Sequence, residues 1–283
     1  MRVLKRKKGK KDYYYLQYSY RSRGKIITKE KYLGKEIPKN INELKQSFFR
    51  EEQGEIYGKF EQIKNHFQKE WKRIPASVRQ QELEELSIAF TYNTNAIEGS
   101  TITLEEARTI IHDKVAPHKP LYDVKETEAH SKILLEMLEK KDKISQDLLL
   151  KWHQKVFGET KLGIAGKYRD YLVRVGSYVA PDWQDVSKLM SDLIRFISKS
   201  KLHSVELAAR AHFKFESVHP FGDGNGRIGR LLMNYILWHT GYPMLIIEYK
   251  KRNSYYKALQ RGEEGFMAYF FRRYLAVHEK RIK

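Results

Sequence analysis

Two apolar-periodic segments joined by a glycine-rich turn constrain this chain more than any other feature. Leu207, Ala208, Ala211, Phe213 and Phe215 recur at helical spacing, and Ile228, Leu231, Leu232, Tyr235 and Ile236 do the same a few residues later. The chain is therefore expected to make a helix, a tight loop and a second helix. The loop reads His219-Pro220-Phe221-Gly222-Asp223-Gly224-Asn225-Gly226-Arg227-Ile228-Gly229-Arg230. A plain helix cap needs none of the His, Asp, Asn and paired Arg found there.

Each of those residue types carries a chemical expectation. His219, at the end of the first helix, is a candidate general base, since imidazole exchanges protons near neutral pH. Gly224, Asn225 and Gly226 supply backbone that a ligand can approach closely. The second helix starts at once, so its free N–H groups and positive dipole end face the loop and favour an anion. Arg227 and Arg230 lie three apart, one face of a helix, with forked geometry suited to phosphate oxygens. Asp223 would repel phosphates unless it holds a hard cation such as Mg2+ between itself and them. Phe221 should point inward and pin the loop.

These residues match the His-x-Phe-x-Asp/Glu-Gly-Asn-Gly-Arg-x-x-Arg signature at every fixed position, and the chain resembles the Fic-domain proteins. The resemblance extends over most of residues 90 to 275. Gly166 through Arg169 and Val173 through Pro181 resemble the hairpin that such proteins lay over the site as a flap, and the alternating pattern around a Gly turn independently suggests a hairpin. Its turn, Val175-Gly176-Ser177-Tyr178, is expected to overhang the loop and contact nucleotide, Tyr178 foremost. Gly241-Tyr242-Pro243 and Tyr255-Tyr256 resemble the end of the domain, where the first Tyr helps hold the nucleotide. The resemblance implies transfer of AMP from ATP to a Ser, Thr or Tyr hydroxyl of a protein, with Mg2+ on Asp223. It also implies a nucleotide site comprising Val175, Gly176, Ser177, Tyr178, Asp223, Gly224, Asn225, Gly226, Arg227, Ile228, Gly229, Arg230 and Tyr255. The target protein would be held by strand addition to the flap.

Upstream, Thr94-Asn95-Ala96-Ile97-Glu98-Gly99 matches the Ser/Thr-x-x-x-Glu-Gly/Asn pattern of the inhibitory helix in one class of these proteins. There the Glu, here Glu98, pairs with the second Arg of the loop, here Arg230, and takes space that the γ-phosphate needs. The plainer reading makes this an ordinary helix end, Glu98 solvated and Gly99 its cap. Two further functions stay open: removal of AMP with Glu98 helping to activate water, and a basic nucleic-acid or partner-binding module whose loop only senses ATP.

The remaining organisation is mainly helical. Residues 41 to 71, 121 to 139, 144 to 157, 185 to 199 and 253 to 277 have helical periodicity, and Thr103 with Glu106 should cap a helix. The expected fold class is a Fic-type helical domain with a β-hairpin flap plus a small N-terminal β-hairpin. Its divisions are a basic, Tyr-rich β element over 1–40, helices including the inhibitory one over 41–100, and the catalytic domain over 101–283. His153, His203, His212, His239 and His278 lack partners at metal-ligand spacing and are expected to be structural.

The chain has no cysteine, and no apolar run approaches a membrane span, so neither a disulfide framework nor membrane insertion is expected and cytoplasm is the default address. The net charge of +19 is concentrated at the start, in Arg2, Lys5, Arg6, Lys7, Lys8, Lys10 and Lys11. Asp12 to Gly34 reads as two strands around a turn at Ser22 to Lys25, rich in Tyr. The Lys run is expected to be a solvated tail, with an acidic partner or nucleic acid as the alternatives. The sequence leaves oligomeric state open, a homodimer included.

Overall fold

The computed structural model describes residues 2–22, 25–176 and 178–282. It divides into two compact units, one comprising Met1–Phe67 with Phe270–Lys283 and the other Gln68–Tyr269. The boundary falls inside a long helix, α1 (Ile41–Arg73).

The first unit opens with an antiparallel sheet in the order β1 (Arg2–Lys8), β2 (Lys11–Ser22), β3 (Lys25–Gly34). The β2–β3 hairpin is the expected one. The strand β1 corrects the solvated-tail expectation: a Lys- and Arg-rich edge strand has no apolar alternation to announce it, and charged side chains are how edge strands stay soluble. On α1, Phe60 and Ile63 are fully buried, and Phe60 packs edge-on against Phe271 and Tyr274 of the C-terminal segment.

The second unit begins with the end of α1 and runs through α2 (Ala76–Ile97), α3 (Leu104–Arg108) with a π-helical turn at Thr109–Asp113, α4 (Leu121–Glu139) and α5 (Gln146–Phe157). The short hairpin β4 (Arg174–Val175) and β5 (Tyr178–Val179) follows, then α6 (Val186–Lys199), α7 (Ser204–Val218), α8 (Asn225–His239), α9 (Arg252–Gln260) and the start of α10 (Gly262–Val277). The expected single helix over 253–277 is two, because Gly262 turns left-handed at φ 78°. The capping box at Thr103 and Glu106 is present on both sides. Among the described residues no helix is long and apolar enough to cross a membrane.

Packing in this unit serves the loop. Ala208, Ala211 and Phe215 of α7 and Ile228, Leu231 and Leu232 of α8 are fully buried, so the two helices flanking the loop lie in the core. Along α2, residues four apart form a buried polar ladder with α4: Ser87 with Ser131 (2.7 Å), Thr91 with His130 (3.2 Å) and Asn95 with Thr127 (3.2 Å). Small side chains let the helices approach, and the hydrogen bonds fix their register. That register carries the last turn of α2 to the first turn of α8.

Candidate active site

His219 is set by its backbone. It closes α7 in the left-handed conformation, φ 50° and ψ 59°, its N–H still bonded to the Phe215 carbonyl (3.0 Å), and Pro220 prevents the helix from continuing. Among the described non-glycine residues only Lys114 shares a positive φ. Such a conformation costs about 1–3 kcal/mol and persists where surroundings enforce it. Arg169 enforces it here: Nε donates to the His219 carbonyl (2.8 Å), Nη1 to the Tyr171 carbonyl (2.8 Å) and Nη2 to the Pro181 carbonyl (2.7 Å), tying His219 to both arms of the hairpin that follows α5. Burial pushes the His219 imidazole below its ordinary value, against a hydrogen bond to the Glu216 backbone that raises it, so the ring is neutral and able to take a proton.

The loop is pinned from within. Phe221 is fully buried and stacks on His153 at 3.9 Å between centroids, as its alternation with His219 and Asp223 implies. Asn225 does not point at the anion site. Its side chain accepts from the Phe221 N–H and donates to the Phe221 carbonyl, both at 2.8 Å, closing the loop on itself. Gly224 begins α8 at φ 76°, and a Cβ there would lie 2.4 Å from the Phe157 ring. The Ile228 side chain goes to the core, so only its backbone and that of Gly229 remain near the turn.

Both loop arginines come to the first turn of α8, each held by a carboxylate from another helix. Arg230 is 1% exposed; Nη2 meets Glu98 Oε1 at 2.6 Å, and Thr94 accepts from Nε (2.6 Å) and, through its carbonyl, from Nη2 (3.1 Å). Burial opposes the Arg230 charge, but Glu98 and its neighbours more than offset this and hold it protonated. Glu98 is also the C-cap of α2, followed by Gly99 at φ 93°, so the plain helix-end reading and the ion pair coexist. A Cβ on Gly226 would lie 2.1 Å from Glu98 Oε1, which puts the carboxylate directly on the N-terminal turn where an anion would sit.

Arg227 lies over the Phe157 ring (4.3 Å) and donates to Glu126 Oε2 at 2.5 Å. Glu126 also accepts from Thr160 Oγ1 (2.7 Å) and pairs with Lys161 (3.2 Å), whose ammonium reaches Asp223 Oδ2 at 2.6 Å. Burial raises the Asp223 carboxyl, but Lys161, Arg227 and the Gly224 N–H prevail and leave it lowered and ionised. Arg169, Glu126 and Lys161 were not picked out as site residues from the sequence. No local signal marks them, since Glu126 stands 101 residues from Arg227 and Lys161 62 from Asp223. His153, expected to be structural, donates from Nε2 to the Asp223 carbonyl (3.0 Å) and accepts at Nδ1 from the Gly166 N–H (2.9 Å). Glu126→Ala would strand the buried Arg227 charge and is expected to cost about 3–5 kcal/mol. Thermal melts should register this as a midpoint roughly 6–20 °C lower; an unchanged midpoint would refute the pairing.

The flap and the distal tyrosines are placed differently from one another. The β4–β5 pairing joins Arg174 to Val179 and Val175 to Tyr178, with Gly176 at φ 60° in the turn; Ser177 lies outside the described residues. Tyr178 donates its hydroxyl to the Ser217 carbonyl at 2.6 Å, anchoring the flap above the end of α7. Tyr255 is 1% exposed beneath Arg230, its hydroxyl bonded to His212 Nε2 (2.9 Å). The exposed member of the pair is Tyr256, which donates to the Ile97 carbonyl at 3.0 Å.

Burial leaves an unusual set of neutral groups around the loop. His153 falls to about 4, His212 to about 3, and His130 and His219 also fall, mainly by desolvation, whereas burial lifts Glu216 to about 8. Each depressed His binds a proton less readily when folded, so stability drops as pH falls below the ordinary 6.5. Glu216 binds its proton more readily when folded, so stability drops as pH rises from 4.5 towards 8. Up to about pH 7 the four histidines, still partly charged in the unfolded chain, outweigh one carboxyl; at higher pH Glu216 prevails. The melting midpoint should therefore peak at about pH 7, and Glu216→Gln should flatten the alkaline limb. A midpoint that rises steadily to pH 8 would contradict this.

The family model of the Fic/DOC family matches residues 143–237, which run from α5 through the loop into α8. The protein adenylyltransferase Fic of Nematostella vectensis is 35% identical over 198 residues, 67% of this chain and 46% of the relative. That of Culex quinquefasciatus is 35% identical over 202 residues, 67% of this chain and 39% of the relative. This chain belongs to the Fic family. The solved structure of Fic-1, residues 134–508, from C. elegans superimposes with a TM-score of 0.68 at 26% identity, covering 86% of this Fic chain and 73% of that one. The Fic chain spans less than half the length of the curated relatives it matches.

Proposed function

We propose that this Fic chain is a protein adenylyltransferase that moves AMP from ATP to a Ser, Thr or Tyr hydroxyl of a protein, itself included, and that Glu98 restrains it. The observation that carries the reading is a neutral His219 on the loop that leads into the N-terminus of α8, where Arg227 Nε and Arg230 Nη1 are buried without a hydrogen-bond partner. Buried unsatisfied cationic donors are costly, and phosphate oxygens would satisfy them. The names of the relatives support the same chemistry.

In the proposed reaction the acceptor hydroxyl gives its proton to His219 as its oxygen bonds to the α-phosphorus. The bond from phosphorus to the β-phosphate bridging oxygen breaks, and pyrophosphate leaves. The first-turn N–H groups of α8 and Arg227 are suited to stabilise charge on the phosphate oxygens. Among the described residues no group of three or more His, Cys, Asp or Glu could cage a metal. A lone, half-exposed Asp223 instead fits Mg2+ shared with phosphates, which would neutralise their charge; Lys161 would yield its contact.

Glu98 supports the proposed restraint because it neutralises Arg230 and opposes an incoming phosphate at the same turn. The exposed Val175 and Val179 suit the flap to strand addition by a target segment. The deciding experiment incubates the parent and Glu98→Gly with Mg2+ and α-labelled ATP and weighs the protein by mass spectrometry. A covalent AMP on Glu98→Gly supports transfer. Absence of AMP on both, with ATP bound, sinks the transferase reading; loss of AMP from a pre-modified protein in the parent would replace it with the reverse reaction.

A further inference from the structure

The transfer site leaves the N-terminal sheet without a role, and that sheet holds much of the charge. Residues 1–34 carry twelve Lys and Arg against Asp12 and Glu30. The register divides the sheet into two unlike faces. Leu16, opposite Val3 and Lys31, is fully buried, and its face turns to α1, where Lys31 lies over Phe48 (5.9 Å) and pairs with Glu51, and Lys29 pairs with Glu55. The other face presents Arg2, Leu4, Arg6 and Lys8 of β1, Lys11, Tyr13, Tyr15 and Gln17 of β2, and Glu30 and Tyr32 of β3.

Three features of this second face point outward to a ligand. Tyr13, Tyr15 and Tyr32 cluster at its centre, with Tyr32 in ring contact with Tyr15 (5.3 Å) and Tyr13 (6.3 Å) yet 54% exposed. Its single acid, Glu30, is already engaged at Oε1 by Arg6 (2.7 Å) and Gln17 (2.8 Å), and Arg6 also covers the Tyr15 ring (5.0 Å). Lys8 stands directly opposite Lys11, and no described carboxylate pairs with either. Like charges directly across a ladder destabilise it, unless an anion lies between them.

We propose that this face binds single-stranded nucleic acid, with bases stacking on Tyr32 and its neighbours and phosphates held by Lys8, Lys11 and Arg2. The charge suits any polyanion. The exposed ring set chooses among them, because a nucleobase has a flat face for Tyr to stack on, and an acidic peptide does not. A strand of seven residues spans about 23 Å, room for several nucleotides. Since the face lies wholly within the first unit, the inference stands apart from the transfer chemistry.

Fluorescence anisotropy of the full chain with a labelled oligothymidylate, across a salt series, tests it. The parent should bind, and Tyr32→Ala should bind about 5- to 150-fold more weakly, with Tyr32→Trp restoring affinity. Lys8→Ala with Lys11→Ala should flatten the log–log salt slope by about 1.4. The proposal is overturned if the parent fails to bind at low salt or if Tyr32→Ala binds like the parent. It is also overturned if a duplex of equal length is preferred, or if a polyglutamate peptide binds the face and the oligothymidylate does not. Circular dichroism of each variant separates loss of fold from loss of binding, and the Lys variant keeps the test decisive should Tyr32→Ala misfold.

Discussion

His219→Ala, made in the Glu98→Gly background, lowers AMP transfer by roughly 100- to 10,000-fold while ATP affinity stays close to that of Glu98→Gly alone. A positioned base contributes that range when it takes a proton in the transition state. A protein hydroxyl is too weakly acidic to attack phosphorus unaided. The binding groups are elsewhere: the first turn of α8, Arg227 and Arg230 do not depend on the imidazole, and Phe221 and Asn225 hold the loop through their own contacts. Alanine also accepts a positive φ poorly, so the backbone at 219 relies on the Arg169 clamp in both proteins. Single-turnover transfer and calorimetric ATP titration measure the two quantities separately. Transfer at the parental rate would remove His219 from the chemistry, and loss of ATP binding would recast it as a binding residue.

Glu98→Gly tightens ATP binding by about 10- to 150-fold and makes automodification visible. The ion pair to Arg230 contains a charge-assisted hydrogen bond, a class contributing about 1.5–3 kcal/mol, and each 1.4 kcal/mol is a factor of ten in affinity. Removing the carboxylate also removes a negative charge from the turn of α8 that the phosphates must approach, at Gly226. Arg230 should stay in place without it, because Thr94 holds the guanidinium through both its hydroxyl and its carbonyl. The local backbone tolerates the change, since position 98 is a C-cap at φ −88° with Gly99 already making the turn. Equal ATP affinity of parent and variant would show that Glu98 does not compete with nucleotide.

The loop and its two helices were legible because everything that defines them is local. Apolar residues at helical spacing, glycines where the chain must turn and a Pro after His219 specify helix, turn and helix within about thirty residues. The β2–β3 hairpin was legible for the same reason. The strand β1 was not, because its residues are charged on both faces and only its partner shows that it is a strand. The break at Gly262 was hidden by apolar periodicity that runs past it on both sides. Tyr255 and Tyr256 look alike in sequence, and only packing against His212 and Arg230 buries the first and exposes the second.

The sequence by itself determined a mainly helical Fic fold and a glycine-rich turn between two helices that carries His219, Arg227 and Arg230, since each follows from residue chemistry at short spacing. Only the tertiary structure decided how those groups are poised. It set Arg169 behind His219, and Glu126 and Lys161 beside Arg227 and Asp223, whereas the contact of Glu98 with Arg230 is the one the sequence resemblance implied. Charges meet across distances in sequence that no pattern encodes, and which meet is fixed by the way α2, α4 and α8 pack.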